Sequence, residues 1–411
     1  MMKSLYLFVL LIINSHVWNL RVVNISSDNW LVIQLVYLFA GFVFYGKMNK
    51  FRLFSEELAP WWFWVIGVLL SVFPAGYFYN QSITQSLITC RGSLLLLQIP
   101  ILFKIAPTKK EIINALLLFF GFVWIVYFMQ SADISIVNLN EERLERFINS
   151  GEIPVVHCWE FVAIILFYYL GKIKESFDYK WLFLILICYG FYLIEQNRSF
   201  LFSISLIIAW TILKVNRKKF IAILTMGFLV SVIAYYTMDI WTELFEETSG
   251  QIENDDYNRN KAYRYFLFEA SPNIWCYIFG NGFISSHTSD YMYNLMYGGV
   301  YNSDVGIVGY WNNFGIIPTI VFFYLLIPAA IGCHNSHFIR CWAIQLLLCS
   351  LTAGYLGASY YILYFSLFYY LYYVDKEGVR VTGFVQIGDY KYYLDPETGE
   401  ARDRKSARLY S

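Results

Sequence analysis

Runs of about 20 apolar residues recur along nearly the whole chain, and a stretch of that length and character is suited to a helix that crosses a bilayer. The runs fall at approximately 4–20, 30–46, 60–79, 82–103, 111–129, 154–171, 180–195, 199–213, 220–238, 306–331, 341–357 and 359–374. Composition agrees: 15% of the residues are charged and 58% are hydrophobic, against about 25% charged in soluble domains. The short alternating segments of an outer-membrane barrel are missing. The expectation is an all-α integral membrane protein, a polytopic bundle of about 12 transmembrane helices.

Basic residues fix an expected orientation. Lys47, Lys50 and Arg52; Lys104, Lys109 and Lys110; Lys172, Lys174 and Lys180; Lys214, Arg217, Lys218 and Lys219; Arg340; and the cations of the tail all fall on one side if the spans alternate. The positive-inside rule makes that side cytoplasmic, with both termini in the cytosol. Lys3 and the apolar run 5–13 resemble a signal peptide, but no small-residue cleavage site follows, so they read as a retained first span. The organisation is then a membrane domain over 1–375, a large outer loop at 239–305 within it, and a polar cytoplasmic tail over 376–411.

Net charge is zero, so nothing in the balance points to nucleic acid. The seven cysteines are scattered without a disulfide framework. Cys333, His334, His337 and Cys341 have ligating side chains, but their spacing matches no standard zinc finger. No P-loop, HExxH, Asp-x-Asp or dinucleotide fingerprint is present, so neither a bound metal nor a nucleotide cofactor is expected.

The two outer loops carry content. Residues 131–153 hold a short helix starting near Asn140, with Leu144, Phe147 and Ile148 on one face. In the long loop, Tyr263, Phe266 and Leu267 repeat at helical spacing beside Arg259, Lys261 and Arg264, which suits a helix in the headgroup layer. In the tail, 379–387 and 390–394 flank Gly388-Asp389 as a hairpin. Its wording is similar to one copy of a cell-wall-binding repeat, although such repeats act as external arrays.

Charges inside or beside the spans are the candidates for chemistry. Arg91 interrupts the fourth span about 13 Å below its outer end. It is an anion site open to the outside, or half of a buried pair with Glu160 or Glu195. Arg198 opens the eighth span, as an anion ligand or as a local partner of Glu195. Arg259 and Arg264 complete a set of arginines from separate segments on the side where cations are disfavoured, and guanidinium forks match phosphate oxygens. His157 and Glu160, one turn apart, form an acid–base pair or a packed polar pair. His287 is the one histidine of the long loop, a general base or a surface residue. Asp304 opens an Asp-Val-Gly-Ile-Val-Gly run, as a base or as the N-cap of the next span.

Three features carry a resemblance: the many-helix layout with a dominant late loop; the turn Asn197-Arg198-Ser199; and Phe279-Gly280-Asn281-Gly282-Phe283 followed by Ser303-Asp304-Val305-Gly306-Ile307-Val308-Gly309 and Asn313-Phe314-Gly315-Ile316. Over roughly 30–375 the chain resembles Wzy-type O-antigen polymerases and related exopolysaccharide repeat-unit polymerases. The resemblance implies a GT-C-like bundle in the bacterial inner membrane, acting without metal or cofactor. Its substrate would be an oligosaccharide repeat unit on undecaprenyl diphosphate, with membrane lipid as surroundings and a chain-length regulator as an open further partner. Growing glycan would be moved onto a fresh lipid-linked unit, at the reducing end. Arg91, Arg198, Arg259 and Arg264 would hold the diphosphate, and His287 or Asp304 would serve as base. In sister O-antigen ligases a histidine stands shortly before an acidic-Gly motif; His287 lies well upstream of Asp304. A ligase-like glycosyltransferase and a flippase of lipid-linked oligosaccharide are the alternatives.

Overall fold

A computed structural model describes residues 2–15, 25–45, 53–132, 159–195, 198–213, 258–283, 305–332, 336–352, 359–377, 383–387 and 390–394. The first helices are α1 (Met2–Asn14), α2 (Ser27–Tyr45), α3 (Ala59–Leu70) and α4 (Val72–Tyr79). Then come α5 (Ile83–Thr89), a 3-10 segment (Cys90–Leu97), α6 (Gln98–Ile105) and α7 (Lys109–Ala132). The middle of the chain gives α8 (Trp159–Glu175), α9 (Tyr179–Glu195) and α10 (Arg198–Leu213). The loop contributes α11 (Asn258–Arg264), a π-helical turn (Tyr265–Glu269) and α12 (Ile274–Phe279). The chain ends in α13 (Gly306–Phe314), α14 (Ile316–Ile331), α15 (His337–Cys349), α16 (Ser359–Glu377) and a hairpin of β1 (Gly383–Ile387) and β2 (Tyr390–Leu394). The strands pair antiparallel with Ile387 opposite Tyr390. The expected span 220–238 and the expected helix within 131–153 lie outside the described residues.

Apart from the hairpin the described chain is helical, and it is that of an all-α membrane protein. Among the described residues, four stretches are long and apolar enough to cross a membrane: Asp28–Tyr45, Glu56–Tyr79, Ile83–Ile105 and Lys109–Gln130. Local sequence explains their ends. Pro60 sits in the first turn of α3, where the missing N–H costs nothing. The Ser82 hydroxyl accepts from the Gln85 backbone N–H at the start of α5. Thr108 and Glu111 satisfy each other's backbone N–H groups ahead of α7, a capping box.

Three expected spans are not continuous. The run 60–79 breaks at Ser71, whose hydroxyl turns back to the Val68 carbonyl at 2.7 Å and so competes with the helical ladder. The run 82–103 tightens over eight residues into a 3-10 helix, longer than such segments usually run. Trp61 Nε1 ties into it by donating to the Leu96 carbonyl at 3.0 Å. The run 306–331 divides at Gly315 into α13 and α14.

Lipid tails are as apolar as leucine, so packing and interhelical hydrogen bonds hold such a bundle, each bond contributing on the order of 0.6 kcal/mol. The centre is aromatic. Trp64 and Trp342 are fully buried. Trp64 Nε1 donates to the Tyr310 hydroxyl, and its ring meets Phe365 edge-on at 5.0 Å. Outward faces, such as that of α2 with Val36, Phe39 and Phe44, are exposed apolar surface suited to lipid.

Candidate functional site

The Phe279–Phe283 run is fastened to the end of α13 through its backbone. The N–H of Asn281 donates to the Asn312 carbonyl at 2.7 Å and that of Gly282 to the Asn313 carbonyl at 2.8 Å. Glycine is required where the two segments touch. Gly280 and Gly315 have φ of 86° and 78°, a region that side chains rarely adopt. A Cβ on Gly280 would lie 2.3 Å from the Asn313 oxygen, and one on Gly315 would lie 2.3 Å from the Ile278 oxygen.

Neutral polar side chains complete this junction. Asn281 is fully buried. Its Nδ2 donates to Ser271 Oγ at 3.0 Å, and its Oδ1 accepts from the Tyr79 hydroxyl at 3.0 Å. That hydroxyl also reaches the Ala270 carbonyl at 3.0 Å, joining the end of α4 to the loop. Asn312 Nδ2 lies 3.4 Å from the same Ser271 oxygen. On the far side, the Phe283 carbonyl accepts from Gln81 Nε2 at 3.0 Å and from Thr89 Oγ1 at 2.7 Å. The loop is thus bound to the turn between α4 and α5 and to the residues just before Arg91.

A second junction lies at the other edge of the loop. The Tyr263 hydroxyl donates to the Leu351 carbonyl. The Ile307 N–H donates to the Ser350 carbonyl at 2.7 Å. Cys349 Sγ, one residue earlier, lies 3.5 Å from the Ser199 carbonyl and 3.3 Å from Ser203 Oγ. The N-terminus of α10, the C-terminus of α15, the start of α13 and the loop helix α11 therefore meet. Ala262, Phe266, Ala270 and Val305 pack together here. Of the expected apolar stripe, Phe266 turns into the protein, and Ala262 and Ala270, four residues to either side of it, complete that face.

The described arginines Arg91, Arg259 and Arg264 differ in their surroundings. Arg91 pairs with Asp28 in the first turn of α2 and donates to the Ile88 carbonyl at 3.0 Å. Of the two readings offered for Arg91, the pair is formed, with Asp28 as partner, and its side chain is 42% exposed. Arg264 lies 3.4 Å from Glu269 and is exposed. Arg259 differs: its Nε is buried without a hydrogen bond among the described residues. Its charge opposes the burial that raises the Tyr263 hydroxyl above its ordinary value. Arg198 opens α10, but its side chain and that of Glu195 lie outside the description. His157, His287 and Asp304 lie outside the described residues.

Glu160 is fully buried. At the opposite end of α15, His337 Nε2 lies 3.1 Å from Thr211 Oγ1 and 3.5 Å from Cys341 Sγ. Cys333 and His334 lie outside the described residues, and no group of three or more His, Cys, Asp or Glu side chains converges among those described.

The sequence singled out Asn281 only within the Phe279–Phe283 run, and Tyr79, Ser271 and Asn312 not at all. The one signal for them was the Asn-Gly and Asn-Asn wording at the two contact points, which marks turns and helix ends. No family model matches the chain, and no curated protein matches it.

Proposed function

We propose that this protein polymerises oligosaccharide repeat units carried on undecaprenyl diphosphate, as a multi-pass enzyme of the bacterial cytoplasmic membrane with about 12 spans, a GT-C-like arrangement and both termini in the cytosol. The observation that carries the reading is the pairing of Phe279–Phe283 with Asn312 and Asn313. Two of the three runs that resemble the polymerases, 279–283 and 313–316, meet in one backbone-bonded unit, and it borders segments bearing Arg91 and Arg259.

In this reading a sugar hydroxyl of the acceptor attacks the anomeric carbon of the donor glycan. A glycosidic C–O bond forms, the bond from that carbon to the diphosphate oxygen breaks, and undecaprenyl diphosphate leaves with the electron pair. The hydroxyl proton passes to His287, Asp304 or Glu160. Cations supply the main stabilisation, because charge grows on the leaving diphosphate. Arg259, with its open Nε, and Arg198, at a helix N-terminus, suit that task. Arg91 would exchange Asp28 for substrate.

The decisive experiment supplies purified protein in liposomes with lipid-linked repeat units. A ladder of lengthening glycan is expected, and Arg198→Ala should insert normally yet give none. Units that stay single while crossing the bilayer would replace the proposal with a flippase, the reading that the interrupted helix Cys90–Leu97 favours. Transfer of preformed polymer to a different acceptor would replace it with a ligase.

A further inference from the structure

The loop segment 265–279 has two unlike faces. Phe266, Ala270 and Cys276 are buried against the protein, whereas Phe268, Ile274 and Trp275 are 75%, 63% and 53% exposed. Trp275 stacks on Phe279 at 5.8 Å, so the exposed indole is held rather than loose. Three such side chains present roughly 300 Å² of apolar surface, as much as the largest patch on many soluble monomers.

The neighbours of this patch identify what covers it. The helix carrying Ile274 and Trp275, α12, packs against α4 and α14. Both neighbours also leave large apolar side chains exposed, Phe73 and Tyr77 on α4 and Ile316 and Ile320 on α14. α4 belongs to a stretch long and apolar enough to cross a membrane. The patch therefore continues a lipid-facing surface onto the loop. Tryptophan suits this position, since its ring is apolar and its N–H remains near water.

We propose that Phe268, Ile274 and Trp275 are seated in the bilayer, so that 265–279 is a membrane-inserted cap over the end of the bundle and not a water-borne loop. The occupant is the boundary between headgroups and acyl chains of ordinary phospholipid. This holds whether the protein polymerises, ligates or transports.

The test places an environment-sensitive fluorophore on Phe268→Cys, Ile274→Cys or Trp275→Cys in the full chain. The described native cysteines are buried, and Cys158 and Cys333 are replaced by alanine. Asn260→Cys, exposed on α11, is the water control. In phosphatidylcholine liposomes containing a lipid with a nitroxide high on its tail, quenching at 268, 274 and 275 should exceed that at 260 by about twofold or more, with aqueous iodide giving the reverse order. Iodide quenching at 274 and 275 equal to that at 260 overturns the proposal. Shielding from both quenchers also overturns it, and points to a second copy or another protein over the patch. A tail-diazirine phospholipid photolysed with the unlabelled protein gives a label-free check. Adducts are expected on 265–279, and adducts on α4 with none there would refute the cap.

Discussion

Tyr79 at the end of α4 and Asn281 in the loop share a hydrogen bond of 3.0 Å across 202 residues of sequence. The pair makes the loop a continuation of the membrane bundle. Tyr79→Phe removes the donor and leaves the Asn281 oxygen and the Ala270 carbonyl short of a partner, a loss of about 1–3 kcal/mol. The expected result is faster proteolysis of the loop with the spans intact, measured on protein in detergent. Cleavage at the wild-type rate would show that the bond contributes nothing.

Gly280→Ala should act more severely than any change at the exposed Asn273. A methyl group there meets backbone at 2.3 Å, and the positive φ of 86° adds about 1–3 kcal/mol of its own. Gly315→Ala meets the other strand of the same contact and should give the same phenotype. The double variant should be little worse than either single one, because each already separates the segments. Thermal unfolding of the three variants checks this.

Arg91 and Asp28 offer a way to separate structure from chemistry. The side chains are 42% and 68% exposed, and an exposed pair in water stabilises by no more than about 1 kcal/mol. Asp28→Asn should leave stability and glycan length close to wild type. Arg91→Ala should abolish long glycan if the guanidinium holds diphosphate, with the protein still inserted. Equal glycan profiles in both variants would leave Arg91 with a structural part alone.

Cys276 supplies a pH prediction. Burial raises its thiol to about 11, above the ~8.5 of a free cysteine. A group whose folded value is raised contributes stability that is fully present below the unfolded value and is lost as pH climbs through the folded one. The α12 region should therefore resist thiol-reactive reagents at pH 8, lose stability between about pH 8.5 and 11, and react fully once unfolded in detergent. Rapid modification of Cys276 at pH 8 would contradict its burial.

The 3-10 segment can be pressed toward α-helix at Gly92. A Cβ there meets nothing within 4 Å, and alanine favours the α form by about 1 kcal/mol over glycine. Gly92→Ala should stabilise an isolated span yet alter the Arg91–Asp28 distance, readable by crosslinking cysteines placed at those two positions.

The all-α membrane character was legible because twenty apolar residues in a row leave a chain few choices. The breaks at Ser71, Cys90–Leu97 and Gly315 were not, since hydropathy sums side chains and is blind to where the backbone changes pitch. At Gly315, the preceding Asn312 and Asn313 were a readable helix-end signal inside an apolar run. The loop helix shows a different failure. Tyr263, Phe266 and Leu267 drew the eye by size, whereas the buried face is set by Ala262 and Ala270, whose smallness lets Phe266 sit against Val305. Arginines could be found from sequence as costly charges; that Asp28, far away in the chain, neutralises Arg91 could not.

The eight residues from Cys90 to Leu97 climb about 2.0 Å each in place of 1.5 Å. The span therefore reaches about 4 Å further than an unbroken helix of the same residue count. In a thin membrane the shorter α form of this element would fit better, drawing the Arg91 end inward, and in a thick one the stretched form would. Lipid chain length alone should thus shift how readily that cation lets go of its carboxylate.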